Sequence, residues 1–435
     1  MKKFKLSKYI THVEIKEFVL VYSLRTCKTA KLSYELWDYL LNDRINLLPV
    51  EIIDHLTKLL ILVSYDIDEF QEINDENKLV YNSNTLYEVI QPSANCQMGC
   101  FYCGQNHEAK NISENIINKI VSAIEKKIEY GNYENLNIGW FGAEPLIGLR
   151  EMKSITEKLL VICKKNNLTY ESKIVTNGVS LSLKVFEELN KNLGVNRIEI
   201  TLDGIAEFHN SRRNLKSSSK GTFQKLIKNI NAILYANSNC QISIRCNVDK
   251  NNEESVIPLI DLLDDENILN KVYFYTAKVH DWGEKTNEEH IENFDYEASE
   301  IKWLKHLINK KYLPTLLPSR KHNVCLATNS DSNVYDAYGN VFKCTEVPYT
   351  SNFSDSKYFI GKIDNFDVQN LSSFRDDWIE QIKNKESFCY DCNFYPVCGG
   401  ACPKSWEKII PCPSFKFNMK EKLEIYYSLN NHKND

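Results

Sequence analysis

Residues 86–103 read Leu86-Tyr87-Glu88-Val89-Ile90-Gln91-Pro92-Ser93-Ala94-Asn95-Cys96-Gln97-Met98-Gly99-Cys100-Phe101-Tyr102-Cys103. An apolar run, predicted as a strand, leads directly into three closely spaced cysteines. That spacing fits three corners of an iron–sulfur cube, and a [4Fe–4S] cluster ordinarily takes four thiolates. A loop offering three leaves one iron open to a group other than protein, which points to chemistry. The alternative is zinc, since Cys96, Cys100, Cys103 and the nearby His107 compose a Cys3His set.

Outward from this loop, strand patterns at 86–91, 136–141, 172–176, 197–202, 241–248 and 272–277 alternate with helical patterns near 112–130, 149–165, 182–193, 222–236 and 253–264. The first helix is the most legible. Asn111 is placed to cap it, Glu114 lies three residues on, Ile116, Ile117, Ile120, Val121, Ile124 and Ile128 form a stripe, and Gly131 ends it. Strands alternating with helices predict a parallel α/β layer. In such folds the loops leaving the carboxyl ends of the strands carry the chemistry, and the cysteine loop leaves the first strand.

The loop resembles the C-x3-C-x2-C signature of the radical S-adenosylmethionine (radical SAM) enzymes, including the aromatic Tyr102 before the last cysteine. The resemblance implies a partial (β/α)6 barrel. It also implies that SAM chelates the open iron and is cleaved by one electron to a 5′-deoxyadenosyl radical. Trp140-Phe141-Gly142-Ala143-Glu144-Pro145-Leu146 is similar to the family's Gly-Gly-Glu-Pro element, with Ala143 replacing the second glycine. The implied cofactor contacts are Gly142, Ala143, Glu144, Pro145, Asn177 of Thr176-Asn177-Gly178, Thr201 of Thr201-Leu202-Asp203-Gly204, and Arg213. Arg245 alternates with Ile244 and Cys246 and shares a strand face with Asn247, facing either SAM or substrate, or pairing with a neighbouring carboxylate. His209 is expected to be structural, and Cys27, Cys163, Cys240 and Cys246 to be small apolar fillers. No catalytic base is singled out among Asp203, His280 and Asp281.

A second cysteine field comprises Cys325, Cys344, Cys389, Cys392, Cys398, Cys402 and Cys412. Its order closely resembles the SPASM extension of one radical SAM branch. That likeness implies two auxiliary [4Fe–4S] clusters, three clusters in all. Cys389, Cys392, Cys398 and Cys412 would fully ligate one; Cys325, Cys344 and Cys402 would hold three corners of the other, with His322 or a distant side chain completing it or one iron left open to a substrate atom.

The first eighty residues differ in pattern. Alternating segments around 13–15 and 18–22, a polar turn at 25–28, and short helices from Ser33 and Pro49 predict a hairpin-helix unit. It is loosely similar to the winged-helix leader-binding elements of peptide maturases. The expected domains are therefore 1–84, winged-helix-like and leader-peptide-binding; 85–310, the radical SAM partial barrel; and 311–435, the SPASM domain.

Composition narrows the function classes. The 435 residues are 43% hydrophobic and 26% charged, which excludes global disorder. A net charge of -5 offers no basic excess for nucleic acid. No uncharged apolar stretch reaches membrane-spanning length. Fourteen cysteines without a secretory h-region predict a reduced, cytoplasmic setting in which cysteines hold metal.

The resemblance implies a radical SAM/SPASM peptide maturase, an oxidoreductase that crosslinks or oxidises residues of a ribosomally made (RiPP) precursor peptide carrying a leader. It would draw electrons from a flavodoxin or ferredoxin. The rival is an anaerobic sulfatase-maturating, formylglycine-forming enzyme; a different class is a non-catalytic zinc-binding scaffold.

Overall fold

The computed structural model describes residues 3–81, 84–218, 220–236, 239–279, 295–367, 374–407 and 411–431. The chain forms two units, one from 1–83, 313–329 and 373–435, the other from 84–312 and 330–372.

In the first unit, β1 (Phe4–Leu6) pairs with β5 (Leu62–Ser64), and β2 (Ile10–Ile15), β3 (Phe18–Ser23) and β4 (Lys28–Leu32) form an antiparallel meander. Helix α1 (Tyr34–Leu41) starts where expected, with the Ser33 hydroxyl accepting from the Leu36 amide; α2 (Val50–Lys58) follows Pro49, and α3 (Glu69–Tyr81) closes the segment.

Period-two alternation explains the apolar run of β3, which is buried on both faces. Val19 and Val21 pack with Trp37, Leu40 and Leu56 under the helices. Leu20 and Tyr22 turn the other way, onto Phe394, Val397, Met419 and Leu423. The hairpin sheet and the carboxy-terminal cysteine segment thus share one core. Polar contacts reinforce it: Tyr22 donates to the Pro318 carbonyl at 2.6 Å, and Tyr395 to Asn74 at 2.8 Å.

In the second unit, β6 (Thr85–Ile90), β7 (Asn135–Trp140), β8 (Thr169–Thr176), β9 (Val195–Thr201), β10 (Gln241–Val248) and β11 (Tyr273–Lys278) run parallel in sequence order. Beside β6 lie β12 (Val334–Tyr335), β13 (Asn340–Phe342) and β14 (Phe359–Lys362), so the described sheet has nine strands with β11 and β14 as its edges. The connecting helices are α4 (Glu114–Tyr130), α5 (Leu149–Lys165), α6 (Leu183–Asn192), α7 (Ala206–Arg212), α8 (Phe223–Tyr235) and α9 (Val256–Asp265), with α10 (Tyr296–Asn309) after β11. This is the expected α/β layer with a mostly parallel sheet.

Leu86, Leu136, Ile138, Trp140, Ile174, Ile198, Ile200, Ile244 and Cys246 face the helices and make the core. Cys163 joins Cys246 within it as an apolar filler, both buried. Strand residues at alternate positions are left to face the opposite side.

One local expectation differs. Helix α4 is capped by Ser113, whose hydroxyl accepts from the Ile116 amide. Asn111 is engaged elsewhere, accepting from the Ser93 hydroxyl at 2.7 Å and donating to Glu151 at 3.2 Å. Gly131 ends the helix as anticipated. Tertiary hydrogen bonds outcompete the local cap.

Candidate active site

The carboxyl ends of the parallel strands open into a cavity of about 270 Å³ lined by Cys96, Cys100 and Cys103. Gly142, Ala143, Asn177, Thr201, Arg213 and Arg245 line the same cavity, from four different strand ends and the segment after α7. Five separate stretches of the chain are thereby brought beside the cysteines.

The cysteine loop is held by its backbone. Gly99 and Phe101 amides donate to the carbonyls of Asn214 and Arg212 at 3.0 and 3.2 Å, and the Lys216 amide donates to Gln97 at 2.9 Å. The loop therefore pairs with residues 212–216 in strand-like fashion. Tyr102 anchors it from the side, donating to Asp203 Oδ2 at 2.6 Å while accepting from Asn247 Nδ2 at 3.1 Å and from Arg213. Asp203 is fully buried and also accepts from the Asn247 amide at 3.0 Å.

Burial pushes the Cys96 thiol up and the Cys100 thiol to about 12, so a metal centre here must displace protons on binding. Cys103 Sγ lies 3.9 Å from His107 Nε2. Among the described residues no group of three or more His, Cys, Asp or Glu side chains converges on a single-ion site; the three thiols instead ring the cavity.

Glu144 and Pro145, expected at the cofactor, do not line the cavity. The Glu144 carboxylate is fully buried and committed to the protein: it accepts from the Leu146 amide at 3.0 Å, the Thr176 hydroxyl at 2.7 Å and the Asn177 amide at 2.8 Å. Burial raises its pKa against those three donors. Its work is to clamp two strand-end turns together. Gly142 adopts φ +113°, and a Cβ there would lie 2.9 Å from Gln91 Cβ. Ala143 is not among the positive-φ residues, so its methyl is accommodated without backbone strain.

His209 is a buried neutral imidazole. Nδ1 accepts from the Asp203 amide at 3.2 Å, which leaves Nε2–H to donate to Thr222 at 3.0 Å; Thr222 in turn donates to the Arg213 carbonyl at 2.9 Å. Burial, then Arg213 and Arg212, hold its pKa well below 6.5. The expectation of a structural histidine is met.

Arg245 meets both of its expected alternatives: it lines the cavity and lies 3.9 Å from Glu199. Glu199 is a site residue that the motifs do not single out. It lines the cavity and accepts from the Tyr275 hydroxyl at 2.8 Å. Its position two residues before Thr201, on the same strand face, is the signal that could have found it. Thr345, Glu346 and Thr350 also reach the cavity, and nothing in their local pattern announces it. His280 and Asp281 lie outside the described residues.

In the other unit, Cys389 is an electrostatic neighbour of Cys392 and Cys412, and Cys398 of Cys389 and Cys392. Cys325 neighbours Cys402. Cys344 belongs to the unit of the parallel sheet. His322 Nδ1 is buried without a hydrogen-bond partner among the described residues.

Residues 90–263 match the Radical SAM superfamily model. A curated relative, the cysteine-type anaerobic sulfatase-maturating enzyme of Clostridium novyi (strain NT), is 24% identical over 377 residues, covering 76% of this chain and 94% of that protein. Among solved structures, native anSMEcpe with bound AdoMet superposes with a TM-score of 0.57 at 18% identity, over 80% of this chain and 99% of that one. Streptococcus suis SuiB bound to precursor peptide SuiA gives 0.51 at 14% identity, over 94% and 98%. At these identities the structural likeness is one of fold.

Proposed function

Residues 90–263 form a radical SAM domain, and on that premise we propose that this enzyme cleaves S-adenosylmethionine reductively and modifies a residue of a ribosomally made peptide. The family implies a [4Fe–4S] cluster and SAM, which together supply a hydrogen-abstracting carbon radical. The donor set fits them. Cys96, Cys100 and Cys103 would hold the cluster and leave one iron for SAM.

Two further observations support that fit. Arg213 Nε is buried without a hydrogen-bond partner among the described residues, a donor that suits the SAM carboxylate. The unsubstituted Gly142 leaves main chain exposed to the cavity, where its carbonyl and that of Ala143 would receive the amino group. Thr201 would meet the ribose, and Asn177 and Arg245 would complete the wall. Glu144 and Pro145 would serve by shaping the turn. The observation that carries the reading is the convergence of the three thiols and six expected contacts on one cavity.

A peptide substrate draws support from the solved neighbours, one bound to a precursor peptide and another to a Cp18Cys peptide. In this chain, residues 1–84 would bind the leader by strand addition; among the described residues β4 pairs with a strand on one side only. Residues 311–435 would act as a SPASM domain with two auxiliary clusters, one on Cys389, Cys392, Cys398 and Cys412, the other on Cys325, Cys344 and Cys402. A flavodoxin or ferredoxin would supply electrons in the cytoplasm. The radical SAM match sets the zinc scaffold aside.

The second reading is anaerobic sulfatase maturation, favoured by the coverage of the curated relative. The test is anaerobic assay of the reconstituted enzyme. Cys96→Ala, Cys100→Ala and Cys103→Ala should each abolish release of 5′-deoxyadenosine, whereas Cys398→Ala and Cys412→Ala should spare some cleavage yet stop turnover. Parent-rate release from the first set refutes the proposal. Mass spectrometry then separates the two substrates: conversion of a sulfatase-derived cysteine peptide to formylglycine supports maturation, and a mass change in a co-expressed precursor peptide supports RiPP modification.

A further inference from the structure

We propose that Lys416 tunes the reduction potential of the auxiliary cluster held by Cys389, Cys392, Cys398 and Cys412; the inference rests on that ligand assignment. Lys416 Nζ lies 3.4 Å from Cys412 Sγ, within donating distance of a cluster ligand. The chain makes this geometry locally. Pro413 follows the cysteine, and a single 3-10 turn over Ser414–Lys416 swings the lysine back toward it.

The ammonium also lies over aromatic rings, 4.3 Å from the Phe388 ring centre and 5.9 Å from that of Phe417. Phe388 immediately precedes Cys389, so the cation contacts the last ligand of the set and the residue next to the first. Cys389 and Cys392 are also its electrostatic neighbours. An isolated surface lysine would be screened by water; this one is half-buried and held by cation–π contact.

Reduction adds one negative charge to a cluster whose four thiolates are already anionic. An N⁺–H···S hydrogen bond stabilises that charge and moves the potential upward, because hydrogen bonds to ligand sulfur and local charge are the protein's main controls on such centres. A closed cluster passes electrons and does nothing else, so its potential decides whether it can accept the electron left after hydrogen abstraction and proton loss from substrate. Lys416 is thus a tuning residue that acts through the ligand Cys412.

The test is an anaerobic redox titration of the full-length, iron- and sulfide-reconstituted protein followed by electron paramagnetic resonance. Lys416→Met should lower one midpoint potential by about 59 mV or more, the shift that corresponds to a tenfold change in a one-electron equilibrium. The other centres should not move, iron and sulfide content should match the parent, and Lys416→Arg should restore most of the shift. Unchanged potentials at full iron content overturn the role of Lys416 and leave the cluster assignment standing. Loss of iron from both variants overturns it too, by making the lysine structural. Parent-level iron in Cys398→Ala removes the ligand assignment itself, and the inference falls with it.

Discussion

Tyr102 donates its hydroxyl hydrogen to Asp203 Oδ2 at 2.6 Å, bonding the cysteine loop after β6 to the turn that ends β9. The phenol is also the acceptor for Asn247 and Arg213, so one oxygen joins the loop to the ends of β9 and β10 and to the segment after α7. Tyr102→Phe keeps the ring and removes that oxygen, leaving buried polar partners unsatisfied. The expected cost is about 1–3 kcal/mol in denaturant unfolding. Cluster loading should persist while 5′-deoxyadenosine release slows; a variant equal to the parent in both stability and rate would refute the anchor.

The turn at 142–143 makes an asymmetric prediction. Gly142→Ala must place a methyl 2.9 Å from Gln91 Cβ at a φ of +113°, and should weaken SAM binding measurably in equilibrium dialysis. Ala143→Gly, at a position without positive φ, should change binding little and cost stability only on the scale of about 0.5–1 kcal/mol.

His209 confers a pH dependence with a definite sign. The folded imidazole is held neutral well below the ordinary value of 6.5, so below that pH the unfolded chain binds more protons than the folded one. Stability is full above about pH 6.5 and is lost as pH falls toward the folded pKa, with a slope approaching about 1.4 kcal/mol per pH unit. His209→Gln removes the titration. Chemical denaturation of parent and variant between about pH 7.5 and 5.5, a window spanning the unfolded value, should show a shallower loss in the variant, although it is less stable at neutral pH.

Glu88 on β6 and Lys127 on α4 form a buried ion pair, and Glu88 also accepts from the Asn333 amide at 2.8 Å. Lys127 donates in addition to the Asp331 carbonyl at 2.6 Å. The pair therefore ties the segment leading to Thr345 and Glu346 onto the parallel sheet. Lys127→Met strands a buried carboxylate and should destabilise the unit by about 3–5 kcal/mol, read as a fall in the unfolding midpoint. The double variant Lys127→Met, Glu88→Leu should recover much of that loss.

Elements with strong periodicity are legible: α5 (Leu149–Lys165) and β10 (Gln241–Val248) lie where the pattern of apolar residues puts them. So is the face of Arg245 and Asn247, since strand alternation is local. The cap of α4 is not, because Asn111 has a partner, Ser93, eighteen residues away. The motif at 142–145 points to Glu144 as a cofactor contact, but its carboxylate is consumed by Leu146, Thr176 and Asn177, two of which sit at the end of the next strand.

Which residues carry the chemistry can be read from the chain alone, because thiol spacing and apolar periodicity are properties of a few consecutive residues. What those residues touch is settled by folding in three dimensions. The bond from Tyr102 to Asp203, the return of Thr345 and Glu346 to the cavity, and the double-faced burial of β3 under both helices and the carboxy-terminal segment all join positions tens to hundreds of residues apart. Such pairings follow from chain crossing and close packing, and no local window of sequence contains them.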